Sequence, residues 1–367
     1  MGKRLKSFTL KMIGGANVAT VIIMLLIGYS GNINPAEHPT IASVGLFFPI
    51  FLVINLLFLV FWILFYWRGA WIPILGYIVA YVPVRTYIPF NYPSTPPEGA
   101  IKVLSFNVYN FAVADGGRGL DNGIVDYILN SGADIVCLQE AAMHVLDLEE
   151  VAPVLKKEYP HSIVYGADSN QDCLSIFTKY PILRAERIKY DSDSNLSLAY
   201  YLNIDGEEVL VVNNHFESNK LNQEDKDKFK SIVKGKMDND SVRTESKLLL
   251  GKLTGAVKVR APQVQKVADY IEKTRKERGI SAIVCGDFND TPISFSHKKL
   301  SENLTDCYVA SGNGPGFSYH RAGMFVRIDN IFCSEEWQPY AAEVDDKITL
   351  SDHYPIICWL KYQSNPK

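Results

Sequence analysis

Two hydrophobic patterns follow one another along the chain. The first is unbroken. No charge interrupts the stretch from Lys11 to Glu37, which holds MIGGANVATVIIMLLIGY, or that from His38 to Arg68, which holds ASVGLFFPIFLVINLLFLVFWILFYW. The second stretch runs well past the ~20 apolar residues a spanning helix needs. A third, GAWIPILGYIVAYVPVRTYI, is weaker because Pro73, Pro83 and Arg85 lie in it, although Arg85 is close enough to one end to snorkel. The pattern predicts an N-terminal bundle of about three transmembrane helices over residues 10–30, 41–67 and 69–88 within a membrane region 1–92.

Beyond a proline-rich linker at 93–99 the pattern changes. Short β-rich runs alternate with amphipathic stretches, as in α/β or α+β domains. The runs IKVLSFNV, DIVCLQE, HSIVYG, CLSIFTK, LAYYLNI, EVLVVNNHF, SAIVCGDF, VRIDNIFC and IICWLKY read as strands. Helices are expected at NGIVDYILNSG, LEEVAPVLKKEY and APQVQKVADYIEKTRKERG, the last opening with Pro262 in its first turn.

Charge sharpens this picture. Residues 1–97 carry six basic side chains against Glu37, hence +5, so a net −3 for the whole chain leaves −8 on the remainder. Such a domain is a poor general binder of nucleic acid. Within it, residues 219–260 carry eleven Lys and Arg against six Asp and Glu. This charged insert, placed at 219–256, reads as a solvated helical face, a lid, or a segment that leans on anionic lipid. The basic N-terminus MGKRLK and the Lys- and Arg-free loop SGNINPAEHPT orient the first span from the inside outward. Three spans then make this a multi-pass protein of the cell membrane with an extracytoplasmic domain; two would leave that domain inside. Six cysteines show no CxxC or zinc spacing; an even number permits disulfides outside the membrane.

The candidate chemistry gathers where strands end. Asn107, Glu140, Asn213, Asn214, His215, Asp287 and Asn289 follow apolar runs, and Asp329, Asp352 and His353 sit in RIDNIF and SDHYPI. Any one of these has an ordinary role as a cap, a turn or a core residue. Together they suit phosphate ester hydrolysis. That reaction needs a hard cation held by oxygens, here Glu140 with Asn107 and Asp352. It needs an acceptor for the proton of an attacking water, Asp287, and donors for non-bridging oxygens, Asn289, His215 and His353. A carboxylate beside His353 would keep it protonated, and Asp329 is its expected partner.

The ordered series SFNV, CLQE, NNHFES, GDFND, RIDNIF and SDHYPI closely resembles the endonuclease/exonuclease/phosphatase superfamily, as a membrane-anchored, bacterial-type member. The resemblance covers residues 100–362 and implies a two-sheet, DNase I-like α/β sandwich with helices outside and the site at one edge. It implies Mg²⁺, or Mn²⁺, at Asn107, Glu140 and Asp352, and catalytic roles for His215, Asp287, Asn289, Asp329 and His353. Arg260 and Gln263, in RAPQ, resemble a family position near the phosphate. Tyr109 stands where apurinic endonucleases carry an aspartate, which weakens a DNA-repair reading. The loop GNGPGFSYHRAGMF is expected to rim the site and to offer Phe317, Tyr319, His320 and Arg321 to substrate.

The expected activity is that of a phosphohydrolase on the lipid bilayer, a phosphodiesterase acting on a phospholipid headgroup or small phosphate ester. A membrane-tethered nuclease and an inactive scaffold module are the alternatives.

Overall fold

Two six-stranded mixed sheets face each other. The computed structural model describes residues 2–166, 172–192, 194–321 and 324–363. One sheet comprises β1 (Ile101–Asn107), β2 (Ile135–Gln139), β3 (His161–Tyr165), β4 (Leu174–Thr178), β11 (Trp337–Val344) and β12 (Ile356–Tyr362), in the order β11-β12-β1-β2-β4-β3. The other comprises β5 (Ile182–Ile188), β6 (Leu196–Ile204), β7 (Glu207–His215), β8 (Ser281–Asp287), β9 (Thr305–Asp306) and β10 (Asp329–Cys333), in the order β5-β6-β7-β8-β10-β9. At the centre of each sheet one pair is parallel, β1 with β2 and β7 with β8; their neighbours run antiparallel.

Strand alternation sets the layers. Val103, Cys137 and Ile176 meet Val211, Cys285 and Ile331 between the sheets. The opposite faces carry Leu104, Phe106 and Leu138, covered by helices Gly123–Asn130 and Leu148–Glu158, and Val212, Val284 and Phe332, covered by the long helix Asn239–Arg278. This is the α/β sandwich that the resemblance implied. All six cysteines are buried and unpaired.

The nine runs read as strands all form strands. Three strands escaped the pattern, β5, β9 and β11. β5 and β11 are sheet edges, and β5 carries Arg184, Glu186 and Arg187 in place of an apolar stripe; charge on an edge blocks further pairing and hides the strand from a hydrophobicity reading. The helix expected from Ala261 is corrected outright. It begins at Asn239, capped by the Asp238 carboxylate, which accepts from the backbone N–H groups of Asp240 and Ser241, and runs 40 residues with Pro262 inside it. A proline there forfeits one backbone hydrogen bond, but Ala261, Val264 and Val267 on either side are buried. Packing outweighs the lost bond, and the charged insert divides between a separate helix, Gln223–Val233, and the first part of this long one.

Two N-terminal helices, Leu5–Asn32 and Pro39–Phe65, are long and apolar enough to cross a membrane, with only 17% and 22% of their most apolar windows buried. Outward faces of Leu, Ile and Phe suit lipid better than water. The weaker third segment forms two shorter helices, Trp71–Val79 and Tyr81–Tyr87, broken at Ala80. They lie along the first helix: Tyr29 Oη donates to Val79 O at 2.7 Å, and Pro83 packs on Gly28. A buried polar knot ties the helices together. Trp62 Nε1 donates to Asn17 Oδ1 at 2.9 Å, and Asn17 Nδ2 donates to Asn55 Oδ1 at 3.1 Å.

The N-terminal helices are fastened to the sandwich. Asn91 Nδ2 donates to Val309 O at 3.1 Å, and Arg327 Nη2 donates to Thr86 O at 2.6 Å.

Candidate active site

The layer between the sheets turns polar at one edge, and it does so in register. On the inward face Val103 is followed by Ser105 and Asn107, Cys137 by Gln139, Val211 by Asn213 and His215, and Cys285 by Asp287. Pairing aligns Asn107 with Gln139, and places Asp287 between His215 on one side and Asp329 on the other. Gln139 Nε2 donates to Asn213 Oδ1 at 2.7 Å and joins the two sheets beneath the site.

Asp287 is the hub. Its Oδ1 accepts from the Asn289 backbone N–H at 2.8 Å and its Oδ2 from Asn107 Nδ2 at 3.2 Å. His215 Nε2 and His353 Nε2 lie 3.5 Å and 3.7 Å from the same Oδ2. Gly286, at φ 131°, makes this convergence possible: a Cβ there would come within 1.9 Å of Asn214 O. Glu140 and Asn289 also hold left-handed backbone, at φ 50° and 51°. Conformations of this kind cost about 1–3 kcal/mol and collect at functional sites.

Each histidine has its own carboxylate. His353 Nδ1 lies 2.8 Å from Asp329 Oδ2, and His215 Nδ1 is hydrogen-bonded to Asp172 Oδ2. Burial would lower both imidazoles, but the carboxylates outweigh it. Asp172, with Asp287 and Glu140, raises His215 to about 10; Asp329 and Asp287 raise His353 to about 10. Both are therefore cations at neutral pH. Burial pushes the Asp287 carboxyl up, His353 and His215 pull it back, and Asp329 adds to the rise. Burial also raises Glu140, whose Oε1 accepts from Asn107 Nδ2 at 3.1 Å and sits 4.0 Å from His215 Nε2.

These groups border a cavity of about 780 Å³, lined among others by Glu140, His215, Asp287, Asn289, Asp352 and His353. That volume lies in the range of pockets that enclose a drug-sized ligand, about 300–1,000 Å³, and exceeds what a phosphate alone needs. Glu140 and Asp352 bring carboxylate oxygens to its lining, the chemistry a hard divalent cation takes, whereas Asn107 turns its Nδ2 to Glu140 and its Oδ1 accepts from the Tyr109 backbone N–H. Asp287, Asp329 and His353 also bring one donor atom each within 4.8 Å of one another. Asp329 Oδ2 is already engaged by His353 Nδ1, while Asp329 Oδ1 is buried without a hydrogen-bond partner.

Not every residue singled out in the sequence faces the cavity. Tyr319 lines it, whereas His320 stacks on Tyr354 with ring centroids 3.8 Å apart, outside the lining. Burial lowers the His320 imidazole. Arg321 sits over the Tyr109 ring, and Phe317 packs against Phe325. Arg260 and Gln263 are buried behind the wall. Arg260 Nε donates to Glu217 O at 2.9 Å and its Nη1 pairs with Asp290 Oδ2 at 3.1 Å, while Gln263 Oε1 accepts from Glu217 N at 2.9 Å. They brace the loops after β7 and β8.

Sequence reasoning passed over Asp172 and Lys226. Asp172 precedes a strand instead of ending one. Because β4 runs antiparallel to β2, its start lies at the edge where β2 finishes. An acid just before an apolar run was the available signal. Lys226 reaches the cavity from helix Gln223–Val233, with its ammonium 5.3 Å from the centre of the Tyr319 ring.

A family model described as the Endonuclease/Exonuclease/phosphatase family matches residues 104–353, and one for a domain of unknown function (DUF8431) matches residues 10–87. No curated protein matches the sequence. Among solved structures, the human Nocturnin catalytic domain with bound sulfate is similar at 17% identity and a TM-score of 0.52, over 73% of this chain and 97% of that one. TDP2 from Caenorhabditis elegans is similar at 15% identity and a TM-score of 0.50, over 71% of this chain and 74% of that one. At such identities the likeness is one of fold.

Proposed function

Since this chain belongs to the Endonuclease/Exonuclease/phosphatase family, whose members hydrolyse phosphoesters, we propose that it is a membrane-anchored, divalent-metal-dependent phosphohydrolase. One observation carries the reading: Asp287, two carboxylate-held histidines and Glu140 converge on a single cavity. A scaffold module would have no need of two buried imidazolium ions.

The residues divide the work by charge. Asp287 accepts the proton of the attacking water, and the Asn289 backbone N–H and Asn107 amide hold its carboxylate in one orientation. His215 and His353 present N–H donors to the phosphoryl oxygens, where negative charge builds as the leaving group departs in line. Asp172 and Asp329 hold those imidazoles charged and turned inward. Glu140 and Asp352 would hold Mg²⁺ or Mn²⁺, which neutralises phosphate charge when bound. Support for membrane anchoring comes from the two apolar helices and from the third segment returning along the first. An odd number of passes would carry the sandwich to the side opposite the N-terminus, which the basic MGKRLK marks as cytoplasmic.

The substrate reading favours a phosphodiester of a lipid headgroup over a nucleic acid. The domain outside residues 219–260 is strongly acidic, whereas nucleic acid asks for a basic surface. The test is hydrolysis of bis(p-nitrophenyl) phosphate by the full-length protein in detergent with Mg²⁺. Asp287→Ala and His353→Ala should each lower kcat by about 10²–10⁴-fold with the melting transition intact; full activity in either variant refutes the assigned roles.

A further inference from the structure

The cavity has a wall that belongs to the N-terminal helices. Ala42, Ser43, Gly45 and Leu46 line it, and they come from the end of the short helix Pro39–Ala42 and the tight turn Ser43–Phe47 that open the second apolar stretch. This turn does not merely lie nearby. An ideal Cβ on Gly45 would fall 1.8 Å from Ile293 O, so only glycine allows the two backbones to touch. Ile293 lies on the same short loop that starts with Asp287 and Asn289, so the anchor and the catalytic loop are in direct backbone contact.

The lining changes character around the cavity. Strand ends supply the acids and histidines, while the turn, together with Leu253 and Val257 of the long helix, supplies hydrocarbon. Lys226 adds a cation from the basic insert. A water-soluble phosphate ester gains nothing from the hydrocarbon side. An amphiphile uses both.

We propose that residues 42–46 form part of the substrate site and that the substrate is a phospholipid of the anchor's own bilayer. Its phosphoester lies toward Glu140 and His353, its hydrocarbon against Leu46, Leu253 and Val257. This rests on the phosphohydrolase reading above and adds to it the source of the substrate and the surface that selects it. The turn lies in the opening residues of the second membrane-length stretch, Pro39–Phe65, so a lipid reaches it by lateral movement without leaving the bilayer.

The full chain is reconstituted into vesicles of phosphatidylethanolamine and phosphatidylglycerol, part of which carries a photoreactive acyl chain. Irradiation should crosslink the wild-type protein at residues 42–46 and at Leu253 or Val257. Labelling confined to the outward faces of the two long helices overturns the proposal. In parallel, Leu46→Asp should lower the ratio of vesicle-lipid to bis(p-nitrophenyl) phosphate turnover by about tenfold or more, because a charge there opposes hydrocarbon. An equal loss on both substrates overturns it, as does faster cleavage of single-stranded DNA than of vesicle lipid. Failure of the wild-type protein to hydrolyse bis(p-nitrophenyl) phosphate sinks the phosphohydrolase reading instead, and the crosslinks are read separately from it.

Discussion

His353 and His215 illustrate how much a single pairing decides. Both imidazoles rise on folding from 6.5 to about 10, so the stability they contribute is complete below about pH 6.5 and is lost as the pH climbs through about 10. In EDTA, the melting temperature should therefore fall progressively between about pH 6.5 and about 10. The alkaline limb of kcat should lie near the upper end of that window. Asp329→Asn removes the carboxylate that His353 Nδ1 contacts at 2.8 Å and should move that limb down by roughly 2 pH units; an unmoved limb would mean that His353 does not act as a cation. Glu140→Gln should raise the Mg²⁺ concentration needed for half-maximal rate by about tenfold or more, with little change in melting temperature, because it removes a charged oxygen from the half-buried position proposed to hold the ion. Most of these residues were legible from sequence because carboxylates, amides and imidazoles interrupt apolar strands at their ends. Asp172 was not, since its position at the site depends on the direction of β4, which no local pattern reveals.

At the scale of elements, β8 carries the largest share. It pairs in parallel with β7 and antiparallel with β10, and so sets His215, Asp287 and Asp329 side by side. Gly286→Ala should break this arrangement. It combines a strained φ with a Cβ pressed on Asn214 O, and should cost at least about 1–3 kcal/mol of stability while lowering kcat more than it raises KM; thermal unfolding and steady-state kinetics on one preparation would show it. The apolar strands were plain in the sequence. The edge strand β5 was not, because its solvent-facing charges obey the need to avoid aggregation and not the need to bury; β11 was hidden by Pro339 and by the irregular register between Tyr340 and Glu343, which interrupt its alternation. The long helix Asn239–Arg278 was hidden for a related reason. Its first half is too rich in lysine to look like part of a core element, and Pro262 resembles a helix start.

The whole molecule shows what no local pattern could predict, namely that the N-terminal helices and the sandwich share a surface. Gly45 against Ile293 and Asn91 against Val309 are contacts to backbone, and backbone approach leaves no signature in hydropathy. The orientation of the chain remains open to a direct test. Because all six native cysteines are buried, Lys230→Cys, on an exposed position of helix Gln223–Val233, supplies a single reactive thiol. A membrane-impermeant maleimide should label it in intact cells; labelling only after lysis would put the catalytic domain inside.

The knot of Asn17, Asn55 and Trp62 carries one last consequence. Helices locked together by buried amides cannot rotate past one another, and the clasps at Thr86 and Asn91 leave the body above them no slack. For the membrane-anchored hydrolase proposed above, this means a site that does not graze over a surface on a tether but waits at one fixed height for molecules to drift to its door. Its speed would then follow the crowding and fluidity of the two-dimensional neighbourhood around it, and diluting the target lipid with an inert one should slow it even when the total amount in the tube is unchanged.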